Sequence, residues 1–270
     1  MGQVSRSPMS ILFLVVFVDM IGFTIVIPFL TYFVQDLAIS DGINDVGSRD
    51  IWVGIIISIY SFAQFLFTPI LGSISDKIGR RPILLFGLLM NTIFFTVFGL
   101  SGSLFMALLA RFLAGAGNGN IAVARAYIGD ISEPNMVASR MGAIGAAFGL
   151  GFMIGPFVGG LLSNPASGIG GPFDNDFWIK FPYLLPCLLS SLLSSISFLL
   201  AITMLPESLP KEKRISDSRS LLYRLSGTFT DIIKVVKIPV ISTLIFTNFL
   251  FFFGFSMMHG IFILFTAMSP

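Results

Sequence analysis

Apolar residues fill this chain in seven long blocks, at about 10–35, 51–72, 82–102, 104–129, 141–163, 181–205 and 240–267. Short polar or glycine/proline-rich breaks separate them. A helix needs roughly 20 apolar residues to cross a bilayer, and every block reaches that length. The pattern predicts an all-α integral membrane protein, a helical bundle of about seven transmembrane helices. Proline marks several starts, at Ser7-Pro8, Arg81-Pro82 and Ile238-Pro239, where its missing N–H would have no helical partner anyway. The blocks divide the chain into a six-helix segment at 1–205, a polar linker at 206–239, and a seventh helix at 240–270.

Composition removes the soluble alternative. Of 270 residues, 55% are hydrophobic, thirty are phenylalanine and only 11% are charged, with a mean hydropathy of +0.92. A soluble domain carries about a quarter of its residues charged. The single cysteine, Cys187, lies inside an apolar block and reads as a packing residue, so no disulfide framework or cysteine metal site is expected. The first block is too long for a cleavable signal peptide and lacks a small-residue cleavage site. No nucleophile elbow, phosphate loop or metal-ligand cluster is present. An enzyme, a metal site and a cofactor are therefore not expected.

Charge placement orients the chain. One alternating set of connections holds Arg6, Lys77, Arg80, Arg81, Arg140, Lys211, Lys213, Arg214, Arg219, Arg224, Lys234 and Lys237, whereas the other holds only Arg49 and Lys180. Basic residues stay on the cytoplasmic side, so the N-terminus is expected there. Because the basic residues follow membrane sides, they offer nothing to a nucleic acid. Within the linker, Leu221, Leu222, Leu225, Phe229, Ile232, Ile233 and Val236 share one helical arc with basic residues outside it. That pattern predicts an amphipathic helix on the inner leaflet or on the protein's own base.

Polar residues inside the blocks are the candidate chemistry, because a charge facing lipid is costly. In the fourth block Arg111, Gly115, Asn118, Ala122, Arg125 and Gly129 follow steps of four and three, which on one continuous helix makes a single polar face. The first block carries Asp19, and pairing of Asp19 with Arg111 or Arg125 is expected. A partner that moved would switch the carboxylate's protonation, making Asp19 a proton or cation site. In the seventh block His259, the only histidine, shares a face with Asn248. It suits either proton traffic or a structural hydrogen bond. Gln64 and Asn91 suit either a cavity wall or interhelical hydrogen bonds. The fifth block, "GAIGAAFGLGFMIGPFVGG", contains the small-residue pairs Gly145/Gly149, Gly151/Gly155 and Gly155/Gly159 around Pro156. These predict close helix approach and a bend at the proline.

The connection "GSISDKIGRRP" brings Gly72, Asp76, Gly79, Arg80 and Arg81 together between the second and third blocks. This spacing resembles the signature loop of major facilitator superfamily transporters. "RFLAGAGNGN" resembles that superfamily's motif on its fourth span, beginning at Arg111. "GFMIGPFVGG" resembles the antiporter motif of its drug:proton exporters, with Gly151, Gly155, Pro156, Gly159 and Gly160 in place. "AYIGDIS" puts Asp130 at the inner end of span four, "VDMIGFTIVIP" puts Asp19 on the membrane acid of tetracycline-resistance-type exporters, and "PESLP" is similar to the usual exit from span six.

The resemblance implies a proton-coupled antiporter that exports small hydrophobic or amphipathic molecules by alternating access. Asp19, Arg111, Asn118, Arg125 and His259 would line its cavity. The gating loop would be a latch in which Gly72 and Gly79 give a tight turn and close contact, Asp76 caps a helix and pairs with Arg80, and Asp130 supplies a second partner. Protons, a small-molecule substrate and membrane lipids are the partners implied. The family builds two six-span halves, and this chain reaches only the first half, the linker and span seven. A second half or a partner chain is expected to complete a transporter. The same fold would also suit a symporter of sugars or organic anions. A truncated, non-transporting partner of a full-length protein is the reading from a different class.

Overall fold

A computed structural model describes residues 8–214 and 236–268, with side chains as far as Met258 apart from Phe255. Its elements are helices, with no strand among the described residues. The chain divides into two units, 1–215 and 216–270, each described here by itself. The expected amphipathic stretch of the linker lies outside the described residues.

The first unit opens with α1 (Pro8–Ile25) and α2 (Ile27–Ser40), two pieces of one span interrupted at Val26. Pro28 explains the interruption: its ring nitrogen cannot donate to the Thr24 carbonyl one turn below. α3 (Val46–Ile78) begins at Asp45, whose exposed carboxylate accepts from Ser48 N at 2.7 Å. That bond holds the Asp45 carboxyl below the usual carboxylate range. α4 (Arg80–Gly99) follows after the single residue Gly79. The fourth span is again two pieces, α5 (Leu104–Gly117) and α6 (Asn120–Ile131). α7 (Val137–Leu162) runs through Pro156 as one helix. The short helices α8 (Pro165–Gly168) and α9 (Asp176–Lys180) form the following loop, and α10 (Leu184–Met204) closes the bundle. In the second unit α11 (Pro239–Met268) starts at the expected proline. Among the described residues seven spans are long and apolar enough to cross a membrane, taking α5 and α6 as one.

α1 is the hub of the first unit, packed on α7 and α10, while α4 packs on α10 and α5, and α3 on α5. Two apolar cores result. One gathers Leu12, Val16, Leu84, Leu88, Ala124, Tyr127 and Ile128 around the α3–α4 end. The other gathers Ile25, Phe29, Ile56, Phe95, Phe98 and Ala107 toward the opposite end. Between them lies a belt of buried polar side chains, with Asp19, Asn91, Arg111, Asn118, Asn120, Ser190 and Ser194 all buried.

The glycines of α7 fall into two faces. A methyl group on Gly151, Gly155 or Gly159 would collide with Met20, Thr24 or the Ile25 backbone of α1. Thr24 Oγ1 lies 2.9 Å from the Gly151 carbonyl and 2.7 Å from that of Met20, so its one proton serves the contact and its own helix alternately. Gly145, Gly149 and Gly160 have no atom within 4 Å of such a methyl group. The expected close approach is therefore confined to one glycine row, and the Gly145/Gly149 pair is open because it sits on the side of α7 turned away from α1. Gly72 is open too and lies within α3, so it makes neither the tight turn nor the close contact expected of it.

This contrast is testable with neighbouring residues. Gly159→Ala forces α1 and α7 apart and should destabilise the purified protein by about 1–3 kcal/mol, the usual cost of overpacking. Gly160→Ala should leave thermal unfolding in detergent unchanged.

Candidate functional site

Asp19 sits on the inward face of α1, 1% exposed. Each carboxylate oxygen accepts one side-chain amide: Asn91 Nδ2 donates to Oδ1 at 2.9 Å and Asn120 Nδ2 donates to Oδ2 at 2.7 Å. Both asparagines are fully buried. Among the described residues no Lys or Arg forms an ion pair with this carboxylate. Burying an ion in an apolar interior costs free energy, and each amide bond offsets part of that cost.

The expected Asp19–arginine pair is thus absent, and the break in span four is the reason. Asn118 leaves helical geometry at φ −90° and ψ 76°, so the six-residue polar face is not continuous. Arg111, Gly115 and Asn118 are buried on its upper piece, while Arg125 and Gly129 emerge exposed on its lower piece. Arg111, 4% exposed, places its guanidinium 4.6 Å from the Tyr60 ring centre and 5.5 Å from that of Phe98. Its Nε and Nη1 have no hydrogen-bond partner among the described residues, so the aromatic faces supply much of its stabilisation. Asn118 Nδ2 donates to Tyr60 Oη at 2.5 Å, and Gln64 Nε2 donates to the Asn118 carbonyl at 3.2 Å. His259 lies in the part of α11 whose side chains are outside the described residues.

The second cluster lies at the α3–α4 turn. Gly79 has φ +114°, a region that favours glycine, and a methyl group there would collide with the Glu207 carboxylate. Arg80 reaches Asp76 at 2.6 Å through Nη1 and Asp130 at 3.1 Å through Nε. Its Nη1 also donates to Ser75 Oγ at 2.6 Å. Asp76 does not cap the next helix, because it belongs to the last turn of α3 and precedes Gly79. Glu207 does so instead: Oε1 accepts from Arg80 N at 2.8 Å and Oε2 from Arg81 N at 3.3 Å. A carboxylate on the first amides of a helix is favoured by the helix dipole. The Arg81 guanidinium donates to the Ile202 carbonyl on α10.

Further bonds hold the segment after α10 beneath the bundle. Tyr127 Oη donates to the Pro206 carbonyl at 2.7 Å, Ser208 Oγ to Asp130 at 3.0 Å, and Arg214 stands 3.8 Å from Glu207. Two residues central to these clusters, Asn120 and Glu207, were not singled out in the sequence. Asn120 stands two residues after Asn118 in "GNGN", and Glu207 follows proline at a helix exit.

These features define a multi-span α-helical membrane protein with a polar belt between two apolar cores and a charge cluster at one helical turn. The chain belongs to the Major Facilitator Superfamily, whose sequence model matches residues 12–270. It is 33% identical over 158 residues to the tetracycline resistance protein, class C, of Escherichia coli, covering 58% of this chain and 38% of that protein. It is 30% identical over 190 residues to protein ZINC INDUCED FACILITATOR 1 of Arabidopsis thaliana, covering 69% and 38%. The crystal structure of the human organic anion transporter MFSD10 superposes with a TM-score of 0.63 at 25% identity, over 80% of this chain and 51% of that one. A peptide transporter, POT, shares the fold at 15% identity and a TM-score of 0.59, over 92% and 48%. The chain thus spans about two fifths of the length of the curated relatives it matches.

Glu207→Ala leaves the first amides of α4 without their carboxylate. It should lower stability by about 1 kcal/mol, read as a lower unfolding midpoint of the purified chain, with the α3–α4 turn becoming more susceptible to protease.

Proposed function

We propose that the chain is the first part of a proton-coupled secondary transporter that exports small hydrophobic or amphipathic molecules by alternating access. One observation carries the reading: a carboxylate enclosed at mid-bundle, held by two amides and by no cation among the described residues. Such a group can take up and give back a proton without first breaking an ion pair. The likeness to the tetracycline resistance proteins supports the export direction.

In this reading Asp19 is the coupling site. Arg111 acts on it only at a distance, through Tyr60. The Asp76–Arg80–Asp130 group with Glu207 is the latch of the gating loop, closed in this conformation. The N-terminus and the latch face the cytoplasm, the substrate and protons cross between this half and a second half or partner chain, and the division at 1–205, 206–239 and 240–270 separates bundle, linker and the start of that second half.

A second reading, carriage of organic anions, draws on the two unpartnered donors of Arg111 and on the likeness to MFSD10. Enclosure of that guanidinium by Tyr60 and Phe98 leaves no approach for a solute here, so export stands first.

Proteoliposomes holding the chain together with a completing second half or partner chain test both roles. A proton gradient should drive tetracycline movement, and Asp19→Asn should abolish it while membrane insertion is unchanged. Proton-driven movement that persists in Asp19→Asn would remove Asp19 from coupling. No movement under any gradient would favour the non-transporting partner.

A further inference from the structure

Asn120 occupies a place built for it. A methyl group on Gly87 of α4 would collide with the Asn120 side-chain amide, so the missing side chain at Gly87 is what lets that amide reach Asp19. Asn120 is also the first residue of α6, immediately after Gly119 in the break of span four. On the other side of Gly119, Asn118 turns its own amide to Tyr60, the ring on which Arg111 stacks. The two-residue interruption and the residue that follows it therefore hold the acid of α1 with one arm and the tyrosine beneath the buried arginine with the other.

The amides are only half used. Asn91 Oδ1, Asn118 Oδ1 and Asn120 Oδ1 are all buried without a hydrogen-bond partner among the described residues. While Asp19 is ionised it accepts only, and an N–H of each neighbouring amide faces it. Once protonated it gains one donor, and the acceptors at hand are those unpartnered amide oxygens. Meeting that donor requires one amide to turn over, exchanging its N–H for its oxygen. For Asn120 the turn is made against α4 and at the break itself.

The remaining titratable groups do not compete for this role. Tyr60 on α3 interacts electrostatically with Asp19, Arg111 on α5 lies behind Tyr60, and Cys187 on α10 interacts with Arg111. Arg125 on α6 is exposed, Tyr127 on α6 is bonded to the Pro206 carbonyl, and Arg140 on α7 is bonded to the Ile131 carbonyl.

We propose that Asn91 and Asn120 are positioning residues that sense whether Asp19 carries its proton, and that Asn120 passes that state to the break in span four and so to Tyr60 and Arg111. The inference rests on Asp19 being the proton site, and it names the groups that respond to it.

Infrared difference spectra of the purified chain in detergent, between acidic and alkaline buffer, give the carbonyl band of protonated Asp19, assigned by its loss in Asp19→Asn. Asn91→Leu and Asn120→Leu should each shift that band to higher wavenumber, because each removes a hydrogen bond to the acid. Gly87→Ala, which leaves both asparagines in the sequence, should reproduce the Asn120 shift, and Asn120→Ser replaces Asn120→Leu should the latter not fold. Thr96→Val, which removes a hydroxyl of α4 bonded to Ser191, should leave the band in place.

Hydrogen exchange in the peptide spanning the break should differ about tenfold between the native chain and Asp19→Asn. A band unmoved in the Asn91, Asn120 and Gly87 variants would overturn the clasp, and identical exchange at the break would overturn the coupling. Both readouts need no solute and no gradient. Failure here therefore leaves the transport assay standing, and a silent transport assay leaves these results intact.

Discussion

A carboxylate with no cation beside it among the described residues, shut inside an apolar bundle, is the constraint around which the first unit is arranged. Taking an ion out of water costs several kcal/mol even after relaxation, and each neighbouring feature reduces that cost or tolerates it. Asn91 and Asn120 each give one donor to Asp19. Gly87 makes room for the second of them. The two apolar cores lie above and below the belt and not across it, so the polar side chains share one level and can satisfy one another. Serines of α10 extend the same level, where Ser191 donates to the Thr92 carbonyl at 2.7 Å. The bundle thus gathers Asp19, Arg111 and its buried asparagines between two apolar cores.

Arg111 shows the same economy with the opposite sign. Its charge is met by aromatic faces rather than an acid, which keeps guanidinium and carboxylate apart although both are buried at neighbouring levels. Direct contact would have produced a neutral, static pair of the kind that contributes little net stability. Separation through Tyr60 and Asn118 leaves each group able to respond to the other's surroundings.

Much of the architecture was legible from the distribution of apolar residues. The seven spans, the proline start of α11 and the membrane class follow from the lengths of the blocks and the scarcity of charge. The charge cluster was legible as a group, and Arg80 does lie between Asp76 and Asp130. What periodicity missed are interruptions within spans. Pro28 was visible, yet an apolar run gives no sign that it divides one span in two. The step pattern of span four assumed an unbroken helix, so it aligned Arg125 with Arg111 and passed over Asn120, which a break at Asn118 turns inward. Glu207 escaped for a different reason: a capping role depends on which helix end lies nearby, and sequence spacing is blind to a bond reaching back 127 residues.

The division of the first span has a mechanical consequence. Asp19 and the residues that grip α7 belong to the lower piece, whereas in the upper piece Phe29 stacks on Tyr183, just before α10, and Phe33 meets the same ring at a tilt. Because Pro28 cannot donate to the Thr24 carbonyl, while Leu30 N still bonds the Val26 carbonyl at 3.0 Å, the span is weakened at Val26 without being severed. A tilt of the upper piece would then leave the acid below in its place.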